Sequence, residues 1–278
     1  MLFSNFFVIK NILWLDTFSK NFAANWDKTV LNLRFKCIPH SIDGCETLSK
    51  TEKIISQVRG EGRRALLEPE AKTICAEYGI SVTKFKVAKT EKEAIDMAQK
   101  AGGPVVLKII SPDIIHKSDA GGVAVNLKNK EEVKAAYHRI LENAKKYKAD
   151  AQIKGVLVEE MAKQSTEVIV GAVKDPQFGQ TLMFGLGGIF VEVLKDVSFR
   201  VAPITEQEAA EMIVEVKAFP LLNGYRNTPP VDVTALVSLL VNVSKLIMDH
   251  PEIKEMDLNP VMAYTDGAKC VDARIILE

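Results

Sequence analysis

The stretch Val105-Val-Leu-Lys-Ile-Ile-Ser-Pro-Asp-Ile-Ile-His-Lys-Ser-Asp-Ala-Gly-Gly-Val-Ala-Val-Asn-Leu127 decides the fold class. Its first six residues read as a buried strand and its last five as a second, alternating strand. A polar loop, Ser111–Gly122, joins them, so the pair reads as a hairpin rather than as the crossover unit of a doubly wound sheet. Lys108 is alone in an otherwise apolar strand and therefore needs a partner. Gly121-Gly122 lets backbone N–H groups approach an anion closely, and Lys108 and Lys117 supply positive charge. Such a hairpin can fold over a polyphosphate like a flap. The competing reading is a polar surface hairpin with a glycine turn.

Working outward, the same mixture of patterns repeats. Thr51–Gly60 carries Ile54, Ile55 and Val58 on one side of a helix. Leu67, Ala71, Ile74, Cys75 and Tyr78 keep helical spacing, with Pro69 near the first turn and Gly79 at the end. Ser81–Ala88 alternates as a strand. Thr90 with Glu93 is a capping box for a helix ending at Gly102-Gly103. Asn129 with Glu132 caps an amphipathic helix whose Val133, Ala136, Tyr137, Ile140, Leu141 and Ala144 face inward. Strands are expected at Gly155–Met161, Glu167–Lys174, Ile189–Val193 and Ser198–Ala202. A helix capped by Thr205 and Glu208 then runs to Phe219, and another covers Val233–Met248. The chain closes on a hairpin, Lys254–Tyr264 with Ala268–Leu277. The fold class is α+β.

Lys+Arg and Asp+Glu number 36 each in 278 residues, a balance that leaves no electrostatic footprint for DNA or RNA. Cys37, Cys45, Cys75 and Cys270 form no CxxC pair and no zinc spacing, which predicts a reducing, cytoplasmic location without disulfides. The apolar run Val233–Met248 is broken by Ser238, Asn242, Ser244 and Lys245, so it is not read as a membrane span. Residues 1–45 differ from the rest: they hold both tryptophans and six of the twelve phenylalanines, yet no glutamate. They lack the cleavage site of a signal peptide and are nearly without the arginines of a transit peptide. The expectation is a poorly packed or artefactual extension, with the organised protein spanning 46–278.

The closing hairpin carries Asp257, Asn259 and Asp272 among apolar neighbours. Asp257 and Asn259 are two apart and share a face of their strand. A two-residue turn on Thr265-Asp266 sets Asn259 directly opposite Asp272; a turn on Asp266-Gly267 sets them one diagonal step apart. Both keep the three oxygen-bearing groups on one face, whereas a one-residue slip would scatter them. An oxygen-only set suits magnesium, with a solvated hairpin face as the alternative. Three weaker signals remain. Phe184-Gly-Leu-Gly187-Gly188 lacks the spacing of a nucleotide fingerprint and reads as a turn. Arg200 is a candidate phosphate clamp or else a surface ion pair. Glu159-Glu160-Met161, followed by Glu167, could read an adenine edge through backbone groups and a ribose through a carboxylate.

In combination these segments resemble a known family. Ala65-Leu-Leu-Glu-Pro-Glu, Val105-Val-Leu-Lys-Ile, Ile115-His-Lys-Ser-Asp-Ala-Gly-Gly-Val, Asp175-Pro-Gln-Phe-Gly, Phe184-Gly-Leu-Gly-Gly-Ile-Phe-Val-Glu and Asp257-Leu-Asn-Pro occur in this order in the ATP-grasp β subunit of ADP-forming acetyl-CoA synthetases. That family is related to the succinyl-CoA synthetase β subunit. The resemblance runs from Glu46 to the C-terminus and implies an ATP-grasp fold of two α+β subdomains with nucleotide between them, the lid at about 82–158 and the remainder at 46–81 and 159–278.

By resemblance, Lys108 holds nucleotide phosphates, Glu159–Met161 is the adenine hinge and Glu167 lies near the ribose. Asn259 and Asp272 match magnesium ligands, and Asp257 matches a carboxylate that helps position the phosphoryl group. His116 matches a histidine that transiently carries that group in the acetyl-CoA branch and is missing from the succinyl branch. The implied activity is that of a ligase subunit with Mg2+ and ATP or ADP, moving phosphate from a phosphohistidine to ADP. A CoA-binding α subunit, in an α2β2 heterotetramer, would handle the acyl group. The lack of a glycine-rich dinucleotide turn agrees, because the acyl chemistry then needs another chain. Two other functions compete: a non-catalytic ATP-binding regulatory module, and a stand-alone ligase.

Overall fold

Side-chain caps start the helices where the spacing places them. The computed structural model describes residues 48–278 apart from 189, 190, 192, 193 and 227. Ser49 accepts from Glu52 N at the start of α1 (Lys50–Gly60), and α2 (Glu68–Glu77) opens with Pro69 in its first turn. Thr90 accepts from Glu93 N to begin α3 (Glu91–Ala101), and Asn129 from Glu132 N to begin α4 (Lys130–Tyr147). Each of these caps satisfies an N–H that the first helical turn leaves unpaired.

Between and after these helices lie the four strands of a first sheet: β1 (Phe85–Ala88), β2 (Val105–Ile110), β3 (Val123–Leu127) and β4 (Gly155–Glu160). They pair antiparallel in the order β1-β4-β2-β3. Leu107, Ile109, Val156 and Val158 pack with Ala94, Val133, Ala136 and Ile140 from α3 and α4 to form one apolar core. The expected Ser81–Ala88 strand is shorter than its pattern. Only Phe85–Ala88 pairs with β4, while Thr83 N donates to Cys270 O at 3.1 Å and Cys270 N to Ser81 O at 2.8 Å. The first half of the pattern is thus hydrogen-bonded to the other sheet.

That second sheet holds β5 (Thr166–Asp175), β6 (Gly179–Leu186), β7 (Val197–Val201), β8 (Ile253–Tyr264), β9 (Gly267–Cys270) and β10 (Ala273–Leu277). Its order is β10-β8-β5-β6-β7, with β9 paired to β8. Its core joins Val170, Leu182, Phe184, Met256 and Leu258 to Ile74 of α2 and to α5 (Glu206–Glu215) and α7 (Val233–Asp249). The helix expected to reach Phe219 stops at Glu215, and a short α6 (Phe219–Leu222) follows. The cause is Asp196, whose two carboxylate oxygens accept from Lys217 N at 2.8 Å and Ala218 N at 2.7 Å, fixing the chain outside the helix. Of the strand expected at Ile189–Val193, all but Val191 lies outside the described residues, as do residues 1–47 with Cys37 and Cys45. Cys75 and Cys270 are free and buried, and burial pushes the Cys75 thiol up to about 12. Among the described residues no helix is long and apolar enough to cross a membrane.

Candidate functional site

Three lysines and three carboxylates meet where α2, β2, β4 and the closing hairpin come together. Lys108, 5% exposed on β2, points its Nζ at Glu68 Oε1 (2.7 Å), Glu159 Oε2 (2.9 Å) and Val271 O (2.9 Å). The partner demanded by a lysine inside an apolar strand is therefore present three times over. Lys72, with no exposed surface, reaches Glu68 Oε1 at 3.1 Å and also pairs with Glu159, which Thr83 contacts as well. Lys117, in the loop after β2, reaches Glu68 Oε2 at 3.2 Å and Asp272 Oδ2 at 3.5 Å. Burial alone would raise the Glu68 carboxyl, but the ammonium groups of Lys108, Lys117 and Lys72 outweigh it and hold Glu68 down to about 2. Burial opposes charge on Lys108 too, and Asp272, Glu68 and Glu159 more than compensate, raising it.

The closing hairpin turns on Thr265-Asp266, since Tyr264 pairs with Gly267 and Val261 with Cys270. Asn259 N consequently donates to Asp272 O at 3.1 Å, and Arg274 stands opposite Asp257. Direct opposition puts Asp257, Asn259 and Asp272 on one face of the sheet. Burial pushes Asp257 up to about 6, Arg274 opposing and Asp272 adding to the shift. Oδ1 of Asp257 and Oδ1 of Asp272 are buried without a hydrogen-bond partner. These orphaned oxygens beside the Asn259 amide fit a hard divalent cation. Among the described residues no three His, Cys, Asp or Glu side chains gather as a metal site, so such an ion would draw its remaining oxygens from water or phosphate.

The other expected residues are distributed around this cluster. His116 is exposed, next to Lys117. Gly121 adopts φ +60°, and a Cβ at Gly122 would stand 2.5 Å from Ile109 Cγ2, so close packing alone requires the second glycine. The Glu159 side chain turns into the charge cluster, while Glu160 accepts from Lys269 Nζ at 2.9 Å. The N–H groups of Glu160 and Met161 are committed to Lys84 O and Pro104 O, both at 3.0 Å. Glu160 and Met161 border a cavity of about 610 Å3 with Lys163, Tyr264 and Lys269, whose lining includes neither Lys108 nor Asp272. Glu167 is exposed at the start of β5, opposite Met262.

Arg200 requires a correction. It pairs in register with buried Leu182, so it lies on the helix-covered face, whereas Asp257 pairs with Gly171 and lies on the other. Its guanidinium meets Glu215 at 2.8 Å and Glu211 at 3.9 Å. Arg200 is an ion-pair residue of the α5 face and no phosphate clamp.

The sequence profile of the ATP-grasp domain matches residues 57–277. The β subunit of the ADP-forming acetate–CoA ligase I of Pyrococcus furiosus is 54% identical over 232 residues, covering 84% of this chain and all of that one. The chain belongs to this ATP-grasp family. The solved acetyl-coenzyme A synthetase 1 of Ca. Korarchaeum cryptofilum, in complex with coenzyme A and Ca-AMPCP, superposes with a TM-score of 0.81 at 51% identity, covering 82% of this chain and 100% of that one. The acetate–CoA ligase I of Archaeoglobus fulgidus is 45% identical over 86% of this chain, which spans 35% of that longer relative.

For this ATP-grasp chain, sequence reasoning missed Glu68, Lys72 and Thr83. Glu68 stood inside a quoted motif without a role, and the Glu68–Lys72 spacing of four residues was the available signal. Thr83 offered no signal, because its partner Glu159 lies 76 positions away.

Proposed function

We propose that the chain is the nucleotide-binding subunit of an ADP-forming acyl-CoA synthetase and transfers a phosphoryl group from a phosphohistidine to ADP. A partner α subunit converts acyl-CoA and phosphate to the acid and CoA. The observation that carries the reading is the reach of Lys117 to Asp272 at 3.5 Å, because it brings the neighbouring His116 to the edge of the charge cluster.

In this reading Lys108 and Lys117 receive the phosphates as point charges, and Glu160–Met161, with their cavity, lie at the base end. Asn259 and Asp272 would hold Mg2+, which when bound neutralises charge on the phosphate oxygens. A ring nitrogen of His116 attacks the phosphorus of the partner's phosphohistidine. The N–P bond breaks there and forms on His116. A terminal phosphate oxygen of ADP then attacks the same phosphorus, the His116 N–P bond breaks, and ATP results. Neutral imidazole serves as nucleophile and leaving group without a separate base. Asp257 stands on the same face of the sheet as Asn259 and would orient the phosphoryl group. The naming of the Pyrococcus furiosus relatives as β subunits supports the need for an α partner.

The test is single-turnover transfer of labelled phosphate from a phosphorylated α subunit to ADP. His116→Ala should lower the rate at least about a hundredfold, about 2.7 kcal/mol of barrier, with nucleotide affinity changed only a few fold. Transfer at the wild-type rate would return His116 to a surface residue.

A further inference from the structure

The loop carrying His116 is fastened in two different ways. Its internal bonds, Gly121 N to Ser118 O (3.0 Å) and Gly122 N to Lys117 O (2.8 Å), shape the turn without locating it. Asp113 with Lys148 (2.8 Å) and Gly121 O with Asn143 Nδ2 (3.0 Å) tie it to α4 and its C-terminal end. Among the described hydrogen bonds and ion pairs of this loop, those of Lys117 alone reach the other side, at Glu68 on α2 and at Asp272.

The three lysines are not equally held. Lys72 and Lys108 each share Glu68 Oε1 and also own a contact to Glu159. Lys117 meets Glu68 at Oε2, whereas the contacts of Lys72 and Lys108 with Glu68 are to Oε1. Three ammoniums and three carboxylates balance, so an arriving phosphate offers surplus negative charge for which Lys117, the most accessible of the three, is the exchangeable cation. We propose that Glu68 is a positioning residue of the phosphoryl relay, which acts through Lys117 to fasten the His116 loop to α2. The inference rests on reading His116 as the phosphoryl carrier.

The test is amide hydrogen exchange at Ala120, Gly121 and Gly122 in the full chain. Glu68→Gln and Lys117→Gln should each accelerate these amides about tenfold or more, and the double variant should be no faster than the singles, because both remove one linkage. Asp272→Asn should change them less than about twofold, and His250 N, bonded within α7, should keep its protection throughout as the control against general loosening. Unchanged loop exchange in Lys117→Gln, equal acceleration in Asp272→Asn, or additive effects in the double variant would overturn the proposal. If Glu68→Gln does not fold, the Lys117→Gln and Asp272→Asn pair still decides it. Exchange is read without phosphoryl transfer, so failure of the fastening is distinguishable from failure of the His116 assignment.

Discussion

An ammonium group with no exposed surface is tolerable only among carboxylates, and Lys72 meets that condition with Glu68 and Glu159. Lys72→Met should therefore cost about 3 kcal/mol or more in equilibrium denaturation, since it leaves buried carboxylates short of a cation. A loss below about 1 kcal/mol would mean that Lys108 alone neutralises them. Glu68 makes a second prediction, on pH. Its folded-state value of about 2 is below the ordinary 4.5, so the stability it contributes is complete above pH 4.5 and is lost as pH falls toward 2. The denaturation midpoint of the wild type should fall more steeply through that window than that of Glu68→Gln; parallel curves would contradict it. Lys108 was legible at this scale because a charge inside an apolar strand is conspicuous. Lys72 was not, because a Glu–Lys pair four apart reads equally well as an exposed helix face, and its second partner is 87 positions away.

At the scale of elements, local signals carried far. Period-two alternation and a short turn left two registers for the closing hairpin, and the observed one brings Asn259 opposite Asp272, as the Thr265-Asp266 turn requires. Side-chain N-caps located the starts of α3, α4 and α5 because their partners are only three residues apart. The end of α5 failed for the opposite reason: Asp196, which draws Lys217 N and Ala218 N away from the helix, is 21 residues upstream of the first of them. Asp196→Ala would strand two amides formerly bonded to a charged acceptor, and a loss of about 2–4 kcal/mol in stability is expected. If thermal denaturation shows no loss, those amides find other partners and the helix end has another cause. Arg200 failed likewise, since strand alternation alone does not say which face of β7 the helices cover.

On the scale of the whole molecule, periodicity gave a mixed α+β chain and the family resemblance implied its two subdomains, while the seam between the two sheets was not legible, because it is made of charges distant in sequence. Residues 1–45 match nothing in the family profile, which begins at 57. Their deletion should leave nucleotide binding intact and stability within about 1 kcal/mol, measured by nucleotide titration and denaturation; a loss beyond about 2 kcal/mol would show that they pack. The segment from Ser81 to Ala88 has a mechanical meaning beyond its place in the sheets. Its first half is bonded to β9 through Thr83 N and Ser81 O, and its second half to β4. Only Phe85–Ala88 is strand, and the isolated bridge of Val82 to Cys270 holds the preceding residues, so a few residues of backbone span the two sheets. The segment thereby ties the first sheet to Cys270, two residues from Asp272, by backbone hydrogen bonds.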